Sequence, residues 1–231
     1  GYAERNPSAD VDGHDACRKI CILASLAYGS HIYPEQVHTE GISRITLEDV
    51  AYAENWGGVI KLVGFAQPSS NGRIQIMVAP LFLSHNSQLS HVDDVFNAIE
   101  LVGDATGEVL FYGKGAGKMP TASAVVADIM DCAAHIDETK YLGWEEAVKN
   151  SVLDDMDTSF RMYFRLRASS GKELAYRILP GCEELHRKGQ PENETAVVSA
   201  KMTVRELEEA AVLFKEKGAE ILNMVRIGDF N

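Results

Sequence analysis

The chain is short of cysteine, of long apolar runs and of positive charge. Four cysteines in 231 residues (Cys17, Cys21, Cys132 and Cys182) are too few for a disulfide framework and suit a reducing, cytoplasmic setting. No run approaches the roughly 18 apolar residues that a membrane span requires, and nothing reads as a basic-then-apolar leader, so no membrane partner is expected. The 22 basic side chains are outnumbered by 34 acidic ones. The net charge of −12 argues against the basic patches by which proteins hold nucleic acid or anionic lipid. His14, Cys17 and Cys21 fall at helical spacing, but one helix face rarely completes a tetrahedral shell and no second Cys/His pair with ligand spacing follows. No metal is therefore expected, and the thiols read as small buried apolar groups.

What is present is the composition of an ordinary globular protein, 45% hydrophobic and 24% charged. Apolar residues recur at helical spacing from Asp10 to Tyr28, with Gly29 as a stop. Thr46 and Asp49 form a capping box that opens a second helix, ended by Gly57-Gly58. The period then changes to two: 59–66 and 74–80 read as strands joined by an Asn71-Gly72 turn, followed by strands over 95–102 and 108–112. A long helix is expected over 120–135. The polar, acidic stretch around 135–158 reads as a linker, anchored by Trp144. Beyond it, alternation predicts strands at 160–166, 196–202 and 221–227, and Thr203 with Glu206 caps a helix that ends near Lys217. The expected class is α+β: a mainly antiparallel sheet covered by helices, then a small ferredoxin-like βαββαβ unit whose second strand is not identifiable between Pro180 and Asn193. The expected division is 1–140, a linker over 141–157, and 158–231.

The chemistry concentrates near the start. Glu4, Asp10, Asp12 and Asp15 lie in an acidic loop that enters a helix, with Lys19 one turn after Asp15. By residue type alone this carries two readings. Acidic groups complement a helix N-terminus, and Asp15–Lys19 at i, i+4 suits a surface pair. The other reading is that these acids and the lysine form a functional site. Gly113, Gly115 and Gly117 before a helix suit either a tight turn or close approach of backbone N–H groups to a ligand.

Gly1-Tyr2-x-Glu4, Pro7 and Asp10-Val11-x-Gly13-x-Asp15-Ala16-x-Arg18-Lys19 together resemble the signature segment of homoserine dehydrogenases. The resemblance continues through Gly41-Ile42-Ser43-Arg44-Ile45-Thr46, through Val92 to Ala98, and through Tyr112-Gly113-Lys114-Gly115-Ala116-Gly117 with Pro120-Thr121-Ala122. It implies NAD(P)-dependent interconversion of aspartate 4-semialdehyde and homoserine, in amino-acid biosynthesis. It further implies Lys19 as the catalytic lysine, oriented by Asp15, with Glu4, Asp10 and Asp15 contacting the amino-acid substrate. Gly117 and Gly115 would meet the dinucleotide, with Asn97 and Thr121 as further candidates. The residues contain no βαβ unit with G-x-G-x-x-G, which the family places before the segment of Glu4. With Gly1 rather than Met at the start, a fragment without most of its NAD(P) site is expected, inactive alone.

The tail from about Thr158 resembles a shortened ACT domain, but Ala168-Ser169-Ser170-Gly171 departs from that domain's acidic-Pro-Gly pattern. An amino-acid effector there and simple support of a homodimer both stay open. A non-catalytic amino-acid-binding module of the same fold is the rival to the enzyme.

Overall fold

The computed structural model describes residues 6–141 and 143–229. Its first part runs α1 (Ser8–Val11), α2 (His14–Tyr28), β1 (His38–Thr39), α3 (Leu47–Trp56), β2 (Gly58–Pro68), β3 (Ile74–Ser84), β4 (Phe96–Gly103), β5 (Gly107–Lys114) and α4 (Lys118–Ala134). Its second runs β6 (Ser159–Phe160), β7 (Met162–Arg167), α5 (Gly171–Ile178), β8 (Glu183–Leu185), β9 (Glu194–Val198), β10 (Met202–Thr203), α6 (Val204–Glu216) and β11 (Glu220–Ile227). The single helix expected over 10–28 is two, because Gly13 takes a left-handed φ of 79° between them. The strand expected over 196–202 breaks at Ser199, whose hydroxyl oxygen accepts the Met162 amide at 3.0 Å.

Seven strands make one mixed, mostly antiparallel sheet, in which β11-β7-β9-β8 is the expected βαββαβ order. Its elusive second strand is β8, only three residues long, too short for a period-two signal. Strand β2 pairs with β3 along the whole length of β3, so β1 and β11 share the other edge. There β1 meets Met77 and Val78, and β11 runs parallel to Leu81 and Phe82. One sheet thus passes from the first part into the second. The stretch expected as a linker is also tied down: Ile74 donates to the Ser151 carbonyl at 2.7 Å, and Leu153 to that of Ile74 at 2.8 Å.

Helices cover the sheet where apolar stripes demand it. Cys17, Cys21 and Ala24 of α2 pack on Ile76 and Val78, while Leu174, Leu207 and Phe214 of α5 and α6 pack on Phe164, Leu166 and Val197. Tyr52 and Ala53 of α3 close over Phe82, Tyr163, Val198 and Val225, a cluster drawn from both parts. Full burial of a side chain such as Phe82 contributes about 2–3 kcal/mol.

Polar groups inside that cluster are paired. Asp49, wholly buried, accepts from the Tyr163 hydroxyl at 3.0 Å and from Asn223 Nδ2 at 2.7 Å. Arg165 Nε lies 3.0 Å from Asp49 Oδ1, close enough for an ion pair although the N–H is not aligned for a hydrogen bond. Its Nη2 donates to Thr46 Oγ1 at 3.0 Å. Glu194 takes the Tyr52 hydroxyl at 2.9 Å and Arg187 Nη2 at 2.8 Å. Burial, then the adjacent carboxylates, push both tyrosine hydroxyls well above their usual pKa, so they stay protonated and donate to those carboxylates.

Candidate active site

The acidic loop is built by a proline, two glycines and a strand edge. The Pro7 carbonyl accepts the amides of Asp10 and Val11 and so closes α1. At Gly13 the chain reverses into α2; a Cβ there would meet the Glu40 carbonyl oxygen at 3.1 Å and Val78 at 3.3 Å. Gly41 presses on the same turn, where a Cβ would fall 2.2 Å from the Val11 oxygen. The Ile42 amide donates to that oxygen at 2.8 Å. The Gly41-Ile42 dipeptide is thus the floor on which the Val11-Asp12 turn rests.

Beyond the turn, α2 carries Asp15 in its first turn and Lys19 in its second, and Lys19 Nζ lies 2.6 Å from Asp15 Oδ2. The pair is open to solvent, so its worth to stability is only about 0.3–0.5 kcal/mol; its consequence is orientation. Gly64 of β2 brings the helix close, since a Cβ there would touch Ile20 at 3.1 Å. The buried side of α2 is set by its cysteines, and Lys19 and Asp15 stand on the exposed side. Asp10 is exposed on α1, the element immediately before. Glu4 lies outside the described residues.

Under this loop is a charge cluster that sequence reasoning missed. His38 Nε2 lies 2.6 Å from Glu40 Oε1, and His38 Nδ1 is 3.5 Å from Asp155 Oδ2. Arg226 of β11 is hydrogen-bonded through Nη1 to Glu40 and through Nη2 to Asp155, the latter at 2.8 Å. Burial raises the Glu40 pKa, but the His38 hydrogen bond and the Arg226 charge outweigh it and hold the carboxyl at about 2. Residues 40 and 226 lie far apart in sequence, and neither sits in a recognisable motif, so no local signal announces them.

The glycine-rich turn joins β5 to α4. Asn97 pairs in register with Gly113, and its side chain fills the space over Gly115, where a Cβ would come within 1.9 Å of Asn97 Nδ2. Gly115 therefore has a packing reason of its own. Gly117 has φ 122° and stands at the N-cap of α4, a 17-residue helix with no side-chain cap; the Thr121 amide closes the first turn on the Gly117 carbonyl at 3.1 Å. The first amides of α4 are thus free to meet an anion. No described residue of α4 is buried, and Met119, Ile129 and Met130 are largely exposed.

The thiols of α2 face the core. Burial, followed by the neighbouring Cys17, pushes Cys21 up to about 12, and the Cys17 Sγ lies 3.8 Å from the Pro34 carbonyl. Cys21 is therefore a neutral packing group at ordinary pH.

Comparison with known proteins identifies the family. The family described as homoserine dehydrogenase matches residues 1–130. The homoserine dehydrogenase of Helicobacter pylori is 41% identical over 178 residues, 77% of this chain and 42% of its own length. That of Synechocystis is 46% identical over 134 residues, 57% of this chain and 31% of its own. The chain thus spans less than half the length of these curated relatives. A crystal structure of a homoserine dehydrogenase from Thiobacillus denitrificans superposes with a TM-score of 0.85 at 29% identity, over 99% of this chain and 56% of the other. One from S. aureus at pH 7.5 gives 0.74 at 30% identity, over 98% and 56%. The chain belongs to the homoserine dehydrogenase family.

Proposed function

We propose that these residues form the substrate-binding portion of a homoserine dehydrogenase, which reduces L-aspartate 4-semialdehyde to L-homoserine with NAD(P)H. The observation that carries this is the Asp15–Lys19 pair on the open face of α2, one turn beyond a loop fixed by Gly13 and Gly41.

NAD(P)H supplies hydride to the aldehyde carbon when bound. Negative charge then grows on the carbonyl oxygen and requires a nearby cation and a proton. Lys19 offers both from one ammonium, and Asp15 holds that ammonium in place through their ion pair. Asp10 and Glu4 take the substrate's ammonium and polar groups, with carboxylates matched to a zwitterion. The dinucleotide would be held in part by Gly117 and the free amides at the start of α4, with Gly115 shaping the turn through Asn97. The chain spans less than half of these curated relatives, so the 231 residues alone are expected to be inactive.

We further assign residues 1–140 to substrate binding and dimerisation, 141–157 to the connection, and 158–231 to an ACT-like unit. The exposed apolar side chains of β4, β5 and α4 (Leu101, Val102, Phe111, Ile129 and Met130 among them) suit burial by the remainder of the enzyme and by a second subunit of a homodimer. The test is cofactor oxidation by the full-length protein with aspartate semialdehyde. Turnover with this aldehyde and loss of turnover in Lys19→Ala are expected. Inertness on it would favour a non-catalytic amino-acid-binding module.

A further inference from the structure

Strand β11 belongs to the second part of the chain, yet it ends beside the loop that carries the substrate carboxylates. Because β2 occupies one edge of β3, the two short pairings on the other edge follow one another: β1 opposite Met77–Val78, then β11 opposite Leu81–Phe82. Glu40 is the residue at which β1 leaves, its amide bonded to the Val78 carbonyl at 2.8 Å. Arg226 is the residue at which β11 arrives. The guanidinium is almost wholly buried, lies 5.5 Å from the centre of the Phe160 ring, and spans two carboxylates, Glu40 and Asp155. Asp155 comes from the segment between the two parts, and His38 faces both acids. Four charged or titratable groups from three segments thus meet at one point.

The next residues after Glu40 are Gly41 and Ile42, which touch the Val11-Asp12 turn directly. The Glu40 carbonyl itself faces Gly13, the hinge between α1 and α2. The path from Arg226 to the loop is therefore one ion pair and one peptide unit long. A planar guanidinium that bridges two carboxylates fixes direction as well as distance, which an ammonium on a flexible stem does not.

We propose that Arg226, acting through Glu40, is a positioning residue for the amino-acid substrate: it holds the 40–42 floor and with it Asp10 and the start of α2. The proposal rests on the assignment of Asp10, Asp15 and Lys19 to substrate. It gives the second part of the chain a direct hold on the substrate loop, distinct from any effector site.

The test uses the full-length enzyme and the variants Glu40→Gln, Arg226→Lys and Arg226→Met. In Glu40→Gln the KM for aspartate semialdehyde is expected to rise about 10- to 100-fold, as for a displaced binding group. The KM for the nicotinamide cofactor should stay within about twofold, since the first amides of α4 are untouched. Arg226→Lys should recover part of what Arg226→Met loses. Amide exchange at Ile42, measured on the same proteins without substrate, should quicken in Glu40→Gln, because its bond to the Val11 carbonyl loosens. Unchanged semialdehyde KM, or equal rises in both KM values alongside a lower Tm, would overturn the proposal and leave a purely structural cluster. If the wild type proves inert on the aldehyde, the substrate assignment fails. The exchange measurement then still decides the hold itself: unaltered protection at Ile42 in all three variants contradicts it.

Discussion

Arg165 and Asp49 meet 3.0 Å apart in the interior, joining β7 of the second part to α3 of the first. Both side chains are buried, and Asp49 is also the capping residue of α3, its Oδ2 taking the Thr46 amide at 3.0 Å. One carboxylate therefore caps a helix, neutralises an arginine and receives Tyr163 and Asn223. Asp49→Ala should destabilise the protein by about 3–5 kcal/mol, since it strands a buried guanidinium and removes a cap. Denaturant unfolding of the full-length protein checks this. A loss below about 1 kcal/mol would show that Glu194, 3.6 Å from Arg165, suffices as a partner.

Acid should loosen the floor of the substrate loop. The folded-state pKa of Glu40 is about 2, below its ordinary 4.5. A depressed carboxyl pKa contributes stability that is fully present above the ordinary value and is lost as pH falls from about 4.5 toward 2. The Glu40 side chain is two-fifths exposed, so solvent screens the pair and the contribution is modest. Glu40→Gln should flatten the pH dependence of stability within that window. An identical acid limb in wild type and variant would contradict the assignment.

Gly115 and Asn97 should behave as a coupled pair. A methyl group at residue 115 would collide with the Asn97 carboxamide, a side chain rather than backbone. Gly115→Ala should weaken cofactor binding by displacing the turn before Gly117. Adding Asn97→Ala should return most of the loss, an interaction term of about 1 kcal/mol or more in a double-mutant cycle. Additive effects of the two substitutions would show that Asn97 does not shape the turn.

Much of this molecule is written locally, and the remainder is not. The Thr46–Asp49 box, the Asn71-Gly72 turn and the alternation from Phe160 to Leu166 are signals carried by neighbouring residues, and each element formed at or near its expected place. So too the Asp15–Lys19 pair, which helical spacing alone brings together. Three features escaped. The break at Gly13 needs the crowding of Thr39 in β1, Glu40 just after it and Val78 in β3, all distant in sequence. Strand β8 is defined by pairing with β9 rather than by its own three residues. The His38–Glu40–Asp155–Arg226 cluster depends on β1 and β11 sharing one edge of β3, a fact of topology. The acidic stretch at 141–157 contributes Asp155 to that cluster, a role its composition does not suggest.

We propose that Lys19 supplies charge and a proton to the oxyanion that develops on the substrate. The measurement is single-turnover oxidation of reduced cofactor by aspartate semialdehyde in the full-length enzyme, wild type against Lys19→Ala, with folding of the variant verified by its Tm. The expected result is a fall in the single-turnover rate constant of at least about 100-fold with cofactor binding retained. A variant that turns over within a few-fold of wild type would contradict the role of Lys19, and with it the account of α2 as the catalytic helix.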